Sequence, residues 1–248
     1  MKKILGVIPA RYGSTRFEGK PLELIEGRTM INWVYARAKE SNVDELVVAT
    51  DDNRIYDEVI SFGGKAILTL KKHENGTSRI VEVINKEDYL EYDFIINIQG
   101  DEPLIDKNSI NLIIEDYKQN NSEIITLKKE IKDKHELDSP NVVKVVTNFQ
   151  NDALYFSRYP IPYERNNLED FKYYKHIGIY GYTNKFLNKL NSLKDGILEK
   201  IESLEQLKFL ENGYTIKVLE TFSDIFGVDT VEDLENVIKH IKQNNIKL

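Results

Sequence analysis

The stretch Ile4–Leu22, ILGVIPARYGSTRFEGKPL, decides the fold. Its opening, Ile4-Leu5-Gly6-Val7-Ile8, is an apolar run ended by proline, the pattern of a buried strand. A loop follows that carries Arg11, Arg16 and Lys20, the hydroxyls of Ser14 and Thr15, and two glycines, Gly13 and Gly19. Glycine lets backbone N–H groups approach anionic oxygens, and arginine and lysine neutralise them, so a polyphosphate suits this loop. Pro9 and Pro21 stiffen its two ends. The spacing is not that of a Walker A loop, because five residues separate Gly13 from Gly19 and Pro21 follows Lys20. No G-x-G-x-x-G is present. A solvated basic loop is the plainer reading; three cations directly after a first buried strand favour an anion site.

Outward from this loop, strand and helix patterns alternate. Ile31, Val34, Tyr35 and Ala38 recur at helical spacing over Met30–Glu40, and ELVVAT at 45–50 reads as the second strand. Asp51 or Asp52 caps a helix with Ile55, Val59 and Ile60 on its apolar face, ended by Gly63-Gly64. KAILTL at 65–70 is a third strand, a helix spans about 77–86, and DFIINIQ at 93–99 is a further buried strand. A helix bearing Ile110, Ile113, Ile114 and Tyr117 and a strand at 123–127 complete the first half. This order predicts an α/β fold, a mostly parallel sheet with helices on both faces. The rhythm then changes. NVVKVVT at 141–147 and ALYFS at 153–157 predict a hairpin, and KYYKHIGIYGYT at 172–183 is an aromatic, alternating strand. Those aromatics suit either a subunit contact or a covered sheet face. Helices are expected at 184–192 and 198–212, a short strand at 215–219 and a closing helix at 230–243.

The chain has 248 residues, 41% hydrophobic and 30% charged, the balance of one large domain or of one domain with an excursion. It contains no cysteine, which excludes disulfides and thiolate chemistry. The net charge of −7 argues against broad nucleic-acid binding and leaves small anionic substrates open, since local cations decide those. No apolar run approaches a membrane span, and MKKILGVIPARYG has too short an apolar run for a signal peptide.

Two acidic segments stand out. Gln99-Gly100-Asp101-Glu102-Pro103 follows the strand FIINI, at the carboxyl edge where open α/β sheets bind ligands. A carboxylate there suits Mg²⁺ on a nucleotide, and a turn capping the next helix explains it equally well. Gly227-Val228-Asp229-Thr230 offers a second acid, although Thr230 with Asp233 is a capping-box pattern. Few histidines and no cysteine speak against zinc.

PARYGSTRFEGKPL resembles the signature loop of the CMP-Kdo synthetases, the 3-deoxy-manno-octulosonate cytidylyltransferases, and more broadly that of the sugar nucleotidyltransferases. Five further segments are similar to that family: QGDEP; GVDTVEDL; His73–Arg79 (HENGTSR); the pair Phe156-Ser157-Arg158 and His176–Tyr180 (HIGIY); and Leu204–Leu207 (LEQL). The resemblance implies a Rossmann-like nucleotidyltransferase fold, a mixed sheet flanked by helices. It implies a single domain over 1–248, with an inserted β-rich sugar-binding and dimerisation region at about 130–183. The activity implied is transfer from CTP to 3-deoxy-D-manno-octulosonate (Kdo), giving CMP-Kdo and pyrophosphate for lipopolysaccharide biosynthesis, by a cytoplasmic homodimer. Arg11, Ser14, Arg16, Lys20, Gly76 and Arg79 would bind the nucleotide, with Arg11, Lys20 and Asp101 catalytic. Asp101 and Asp229 would hold Mg²⁺. Gln99, Arg158, His176, Tyr180, Glu205 and Gln206 would take the sugar. Glu205 and Gln206 equally suit a helix start capped by Ser203, and His176 a structural strand histidine. Another acid sugar, an 8-amino analogue or a nonulosonate, and a nucleotide-binding protein without turnover are the alternatives. The chain departs from the family pattern at Glu18 and Val231 (commonly proline), at Asn75 and Ser78, and at Lys175 (commonly arginine). Glu18 is expected to face solvent or pair with a nearby cation, since a carboxylate beside phosphate is repulsive.

Overall fold

A computed structural model describes residues 2–13, 17–73, 75–166, 168 and 171–248. The backbone divides into two compact units, Met1–Ile114 with Ser223–Leu248, and Glu115–Phe222.

The first unit begins with β1 (Ile4–Ala10), whose Ile4, Leu5, Val7 and Ile8 are fully buried. Burying each such side chain contributes roughly 1.5–3 kcal/mol. The strand continues through Pro9, where the sequence reading ended it, with Pro9 opposite Ala49. Proline is tolerated because the neighbouring ladder on the other side stops at Val7, so no bond is lost there. A small hairpin, β2 (Leu24–Ile25) and β3 (Arg28–Thr29), turns through Glu26 and Gly27 at positive φ and was not anticipated. Then come α1 (Met30–Lys39), β4 (Glu45–Thr50), α2 (Asn53–Ser61), β5 (Ala66–Leu68), α3 (Gly76–Ile84), β6 (Phe94–Asn97) and α4 (Lys107–Asn120). β4 pairs with β5 and β1 with both β4 and β6, all in parallel, as the alternation predicts. Asp52 caps α2, and Asp51 has a different task described below. Asn75 caps α3 by accepting from the Ser78 N–H at 2.8 Å.

The second unit holds β7 (Ile124–Glu130), α5 (Lys134–Asp138), β8 (Lys144–Thr147), β9 (Ala153–Ser157), β10 (Tyr174–Thr183), α6 (Asn184–Leu187), α7 (Ile197–Glu202), α8 (Glu205–Glu211) and β11 (Lys217–Glu220). β8 and β9 form the expected antiparallel hairpin. β10 runs antiparallel to β7, and β11 runs parallel to it. The sheet here is therefore mixed, as expected. The single helix expected at 198–212 is two. Ser203 adopts a left-handed conformation (φ 53°) that ends α7, and Leu204 without a side-chain cap starts α8. The capping box anticipated at Ser203 does not form, because Ser203 is committed to terminating the preceding helix.

The chain then returns to the first unit with α9 (Val231–Asn244). Its N-terminus carries the predicted capping box between Thr230 and Asp233, an arrangement worth about 1 kcal/mol. Leu234, Val237 and Ile241 pack with Ile25, Met30, Trp33, Leu104 and Val228 in one buried cluster. The indole N–H of Trp33 donates to Ile25 O at 2.7 Å, so the ring is both packed and satisfied. Among the described residues no helix is long and apolar enough to cross a membrane.

Candidate active site

The carboxyl ends of β1 and β6 converge on a cavity of about 340 Å³, lined among others by Arg11, Lys20, Gly76, Arg79, Gln99, Asp101 and Asp229. The cationic loop reaches it by a specific route. Gly19 takes a left-handed φ of 73° and donates its N–H to Tyr12 O at 2.9 Å, closing the loop at its base. Lys20 and Pro21 then open a short 3-10 turn. Arg11 is exposed on the wall. Ser14 and Arg16, also expected at the nucleotide, lie outside the described residues. Glu18 is exposed, and its charge is felt by Arg54, whose guanidinium lies over the Tyr12 ring at 3.2 Å. Its exposure meets the expectation that it faces solvent.

Lys20 organises the acidic side. Its ammonium donates to Asp101 Oδ2 at 2.8 Å and to Val228 O at 2.6 Å, and it lies 3.5 Å from Asp229 Oδ1. Val228 N in turn donates to Asp101 O at 2.9 Å. Burial of Val228 in the α9 cluster fixes this strap, which is how residues 208 positions apart meet. Both predicted metal-binding aspartates therefore point at one positive charge. Two carboxylates converging on a single cation are the donor set that Mg²⁺ takes alongside phosphate oxygens. The residues present fit that ion.

Arg79 is buried, forms an ion pair with Asp51 at 2.8 Å and donates to the Thr69 hydroxyl. Its guanidinium ties the start of α3 to the ends of β4 and β5. His73 on the same wall is held by Glu82, Nε2 to Oε2 at 2.6 Å. Next to Asp101, Glu102 is buried with Oε2 unpartnered, and burial together with the Asp101 charge pushes its carboxyl up to about 8. Gly100 is a close approach. A Cβ there would sit 2.8 Å from Pro9 O.

Gln99 lies with the first group, and the remaining predicted sugar residues lie in the second unit. His176 and Tyr180 share one face of β10, rings 5.3 Å apart, and Phe156 meets His176 edge-on at 5.1 Å. Burial lowers the imidazole to about 3, so it is neutral at neutral pH. Burial, with Glu205 nearby, raises Tyr180 well above its usual value, and the neighbouring Thr126 hydroxyl offsets part of that rise. Gln206 is buried in the first turn of α8. Arg158 is placed differently from a free cation. Its Nε donates to Glu202 O at 2.7 Å, Nη1 to Pro140 O at 2.9 Å and Nη2 to Ser203 O at 3.4 Å. Lys175, in place of the common arginine, pairs with Glu136. Reading the sequence missed Val228 as a backbone anchor for Lys20 and Glu202 as the partner of Ser157 and Arg158, and backbone carbonyls leave no motif.

The cytidylyltransferase family model matches residues 5–221. A 3-deoxy-manno-octulosonate cytidylyltransferase of Fusobacterium nucleatum is 59% identical over 99% of this chain and 100% of its own length. One from Thermodesulfovibrio yellowstonii is 52% identical over 92% of this chain and 94% of its own. The solved structure of a CMP:2-keto-3-deoxy-manno-octonic acid synthetase complexed with CTP superposes with a TM-score of 0.92, at 43% identity, covering 98% of this chain and 100% of that one. The chain belongs to the 3-deoxy-manno-octulosonate cytidylyltransferases.

Proposed function

We propose that the chain joins CTP to Kdo, releasing pyrophosphate and CMP-Kdo. The observation that carries this reading is the cavity at the ends of β1 and β6, where Arg11, Lys20, Asp101 and Asp229 meet in a chain so similar to cytidylyltransferases. The anomeric hydroxyl oxygen of the sugar forms a bond to the α-phosphorus of CTP. The bond from that phosphorus to the α,β-bridging oxygen breaks, pyrophosphate leaves with the electron pair, and the hydroxyl proton passes to solvent. Arg11 and Lys20 bind the triphosphate and offset the charge that grows on the departing pyrophosphate; Arg16 belongs to the same loop. Arg79 acts by holding the start of α3 against Asp51 and Thr69. Asp101 and Asp229 would hold Mg²⁺, which when bound screens phosphate charge and lowers the pKa of the attacking hydroxyl.

The acid sugar is taken by His176, Tyr180, Glu205 and Gln206. The neutral imidazole supports hydrogen bonding to sugar hydroxyls. Arg158 positions the segment before α8 through its carbonyl contacts. The same reading makes the enzyme a cytoplasmic homodimer supplying lipopolysaccharide biosynthesis.

Pyrophosphate release tests this with CTP, UTP, ATP and GTP crossed against Kdo, 8-amino-Kdo and a nonulosonate. Turnover is expected with CTP and Kdo, abolished by EDTA and restored by Mg²⁺. Preferred turnover of another acid sugar would reassign the substrate, and no turnover with any pair would favour a nucleotide-binding protein. Gly100→Ala is expected to lower kcat/KM about a hundred-fold. Its Cβ would meet the Pro9 carbonyl and push Asp101 off station. Unchanged kcat/KM in that variant would show that Asp101 needs no such exact placement.

A further inference from the structure

β10 carries an irregularity beside the proposed sugar residues. Along its ladder with β7, Ile177 stands opposite Leu127 and the next pair is Tyr180 opposite Thr126, so Gly178 and Ile179 are inserted. Thr126 is fully buried at this step, and its hydroxyl reaches three groups. Oγ1 lies 2.8 Å from Ile179 O, 3.0 Å from Ile177 O and 3.0 Å from His176 Nε2.

The hydrogen inventory assigns each role. A threonine hydroxyl has one proton, and a carbonyl oxygen only accepts. Both carbonyls sit at donor distance, so the proton of Thr126 belongs to them. Toward the imidazole Oγ1 has only lone pairs left, and it must accept. Nε2 of His176 therefore carries the hydrogen. The imidazole is neutral, held so by burial, and Nδ1 is left as a bare lone pair. No described residue bonds Nδ1.

We infer that Thr126 is a positioning residue: it locks His176 in the Nε2–H tautomer, so that Nδ1 is presented as a hydrogen-bond acceptor for a hydroxyl of the acid sugar. The functional half rests on the proposed role of His176 in sugar binding. The inserted pair Gly178–Ile179 is the structural cause, because it brings the carbonyls of both Ile177 and Ile179 to one hydroxyl. In a regular ladder only alternate carbonyls face the same way, and the neighbouring strand's N–H groups would take them.

The test is the ¹⁵N signature of the imidazole in the full-length protein. Long-range ¹H–¹⁵N correlation separates the two neutral tautomers, and the chain has only four histidines, so loss of one signal in His176→Gln assigns it. In the wild type His176 is expected in the Nε2–H form. Thr126→Val keeps the branched shape and removes the hydroxyl; it is expected to give mixed tautomers and to raise KM for Kdo about ten-fold with KM for CTP within two-fold. Thr126→Ser is expected to restore both. An Nδ1–H signal in the wild type overturns the proposal without any variant, and so does an unchanged tautomer in Thr126→Val. A shifted tautomer with unchanged KM for Kdo overturns the functional half. His176→Gln then locates the failure. If it too leaves KM for Kdo unchanged, the assignment of His176 to the sugar has failed. If it raises KM, the tautomer is what does not matter.

Discussion

Asp101→Asn is expected to lower kcat/KM for pyrophosphate release at least about a thousand-fold, about 4 kcal/mol, and to leave the protein folded. The side chains are nearly isosteric. The backbone carbonyl of Asp101 still accepts from Val228 N, and the amide oxygen still accepts from Lys20. What disappears is one of the two negative charges that converge on this point. A neutral amide is a poor Mg²⁺ ligand, and the cation that balances the triphosphate would be held by Asp229 alone. Steady-state rates at saturating Mg²⁺, with a thermal melt as a control for folding, check the result. Turnover within ten-fold of wild type would remove Asp101 from the metal site.

Lys20→Ala has the second large effect, a loss of about a hundred- to a thousand-fold in kcat/KM. The ammonium contacts Asp101 and the strap at Val228 and lies 3.5 Å from Asp229. Without it Asp101 and Asp229 face each other as like charges, and the loop loses a triphosphate contact. A second readout separates these consequences. Mg²⁺ should raise the melting temperature of Lys20→Ala more than that of the wild type, because the ion replaces a charge the variant lacks. An unchanged rate would put the anion role of the loop in doubt, and an unchanged Mg²⁺ response would detach Lys20 from the metal carboxylates.

The frame was legible where burial writes a simple pattern. β4 and β9 coincide with their expected bounds because each is a short β-rich run flanked by turn residues. The cationic loop, QGDEP and GVDT stand out in the sequence, and Lys20 contacting both Asp101 and the Asp229 strap brings these three distant segments together. Illegible features depend on conformations that several residue types can adopt. Ser203 suits an N-cap in sequence, and nothing in serine announces the left-handed φ by which it ends α7 instead. Arg158 looks like a free cation in sequence, but carbonyl acceptors at Pro140, Glu202 and Ser203 claim it. Thr126 sits in an apolar strand where a hydroxyl is unremarkable, and only the inserted pair opposite gives it a task.

The docking of α9 also has a consequence for how an active molecule is made. The loop after β1 and the QGDEP turn are synthesised early, yet the second carboxylate arrives only when Val228 has been pinned by Leu234, Val237 and Ile241. A nascent chain still on the ribosome can complete the parallel strands of the first unit while Lys20 has only one of its two aspartates. On the proposed role of Asp229, competence for transfer waits until translation has passed α9. The cluster under α9 thus couples the placing of the second carboxylate to the docking of the closing helix.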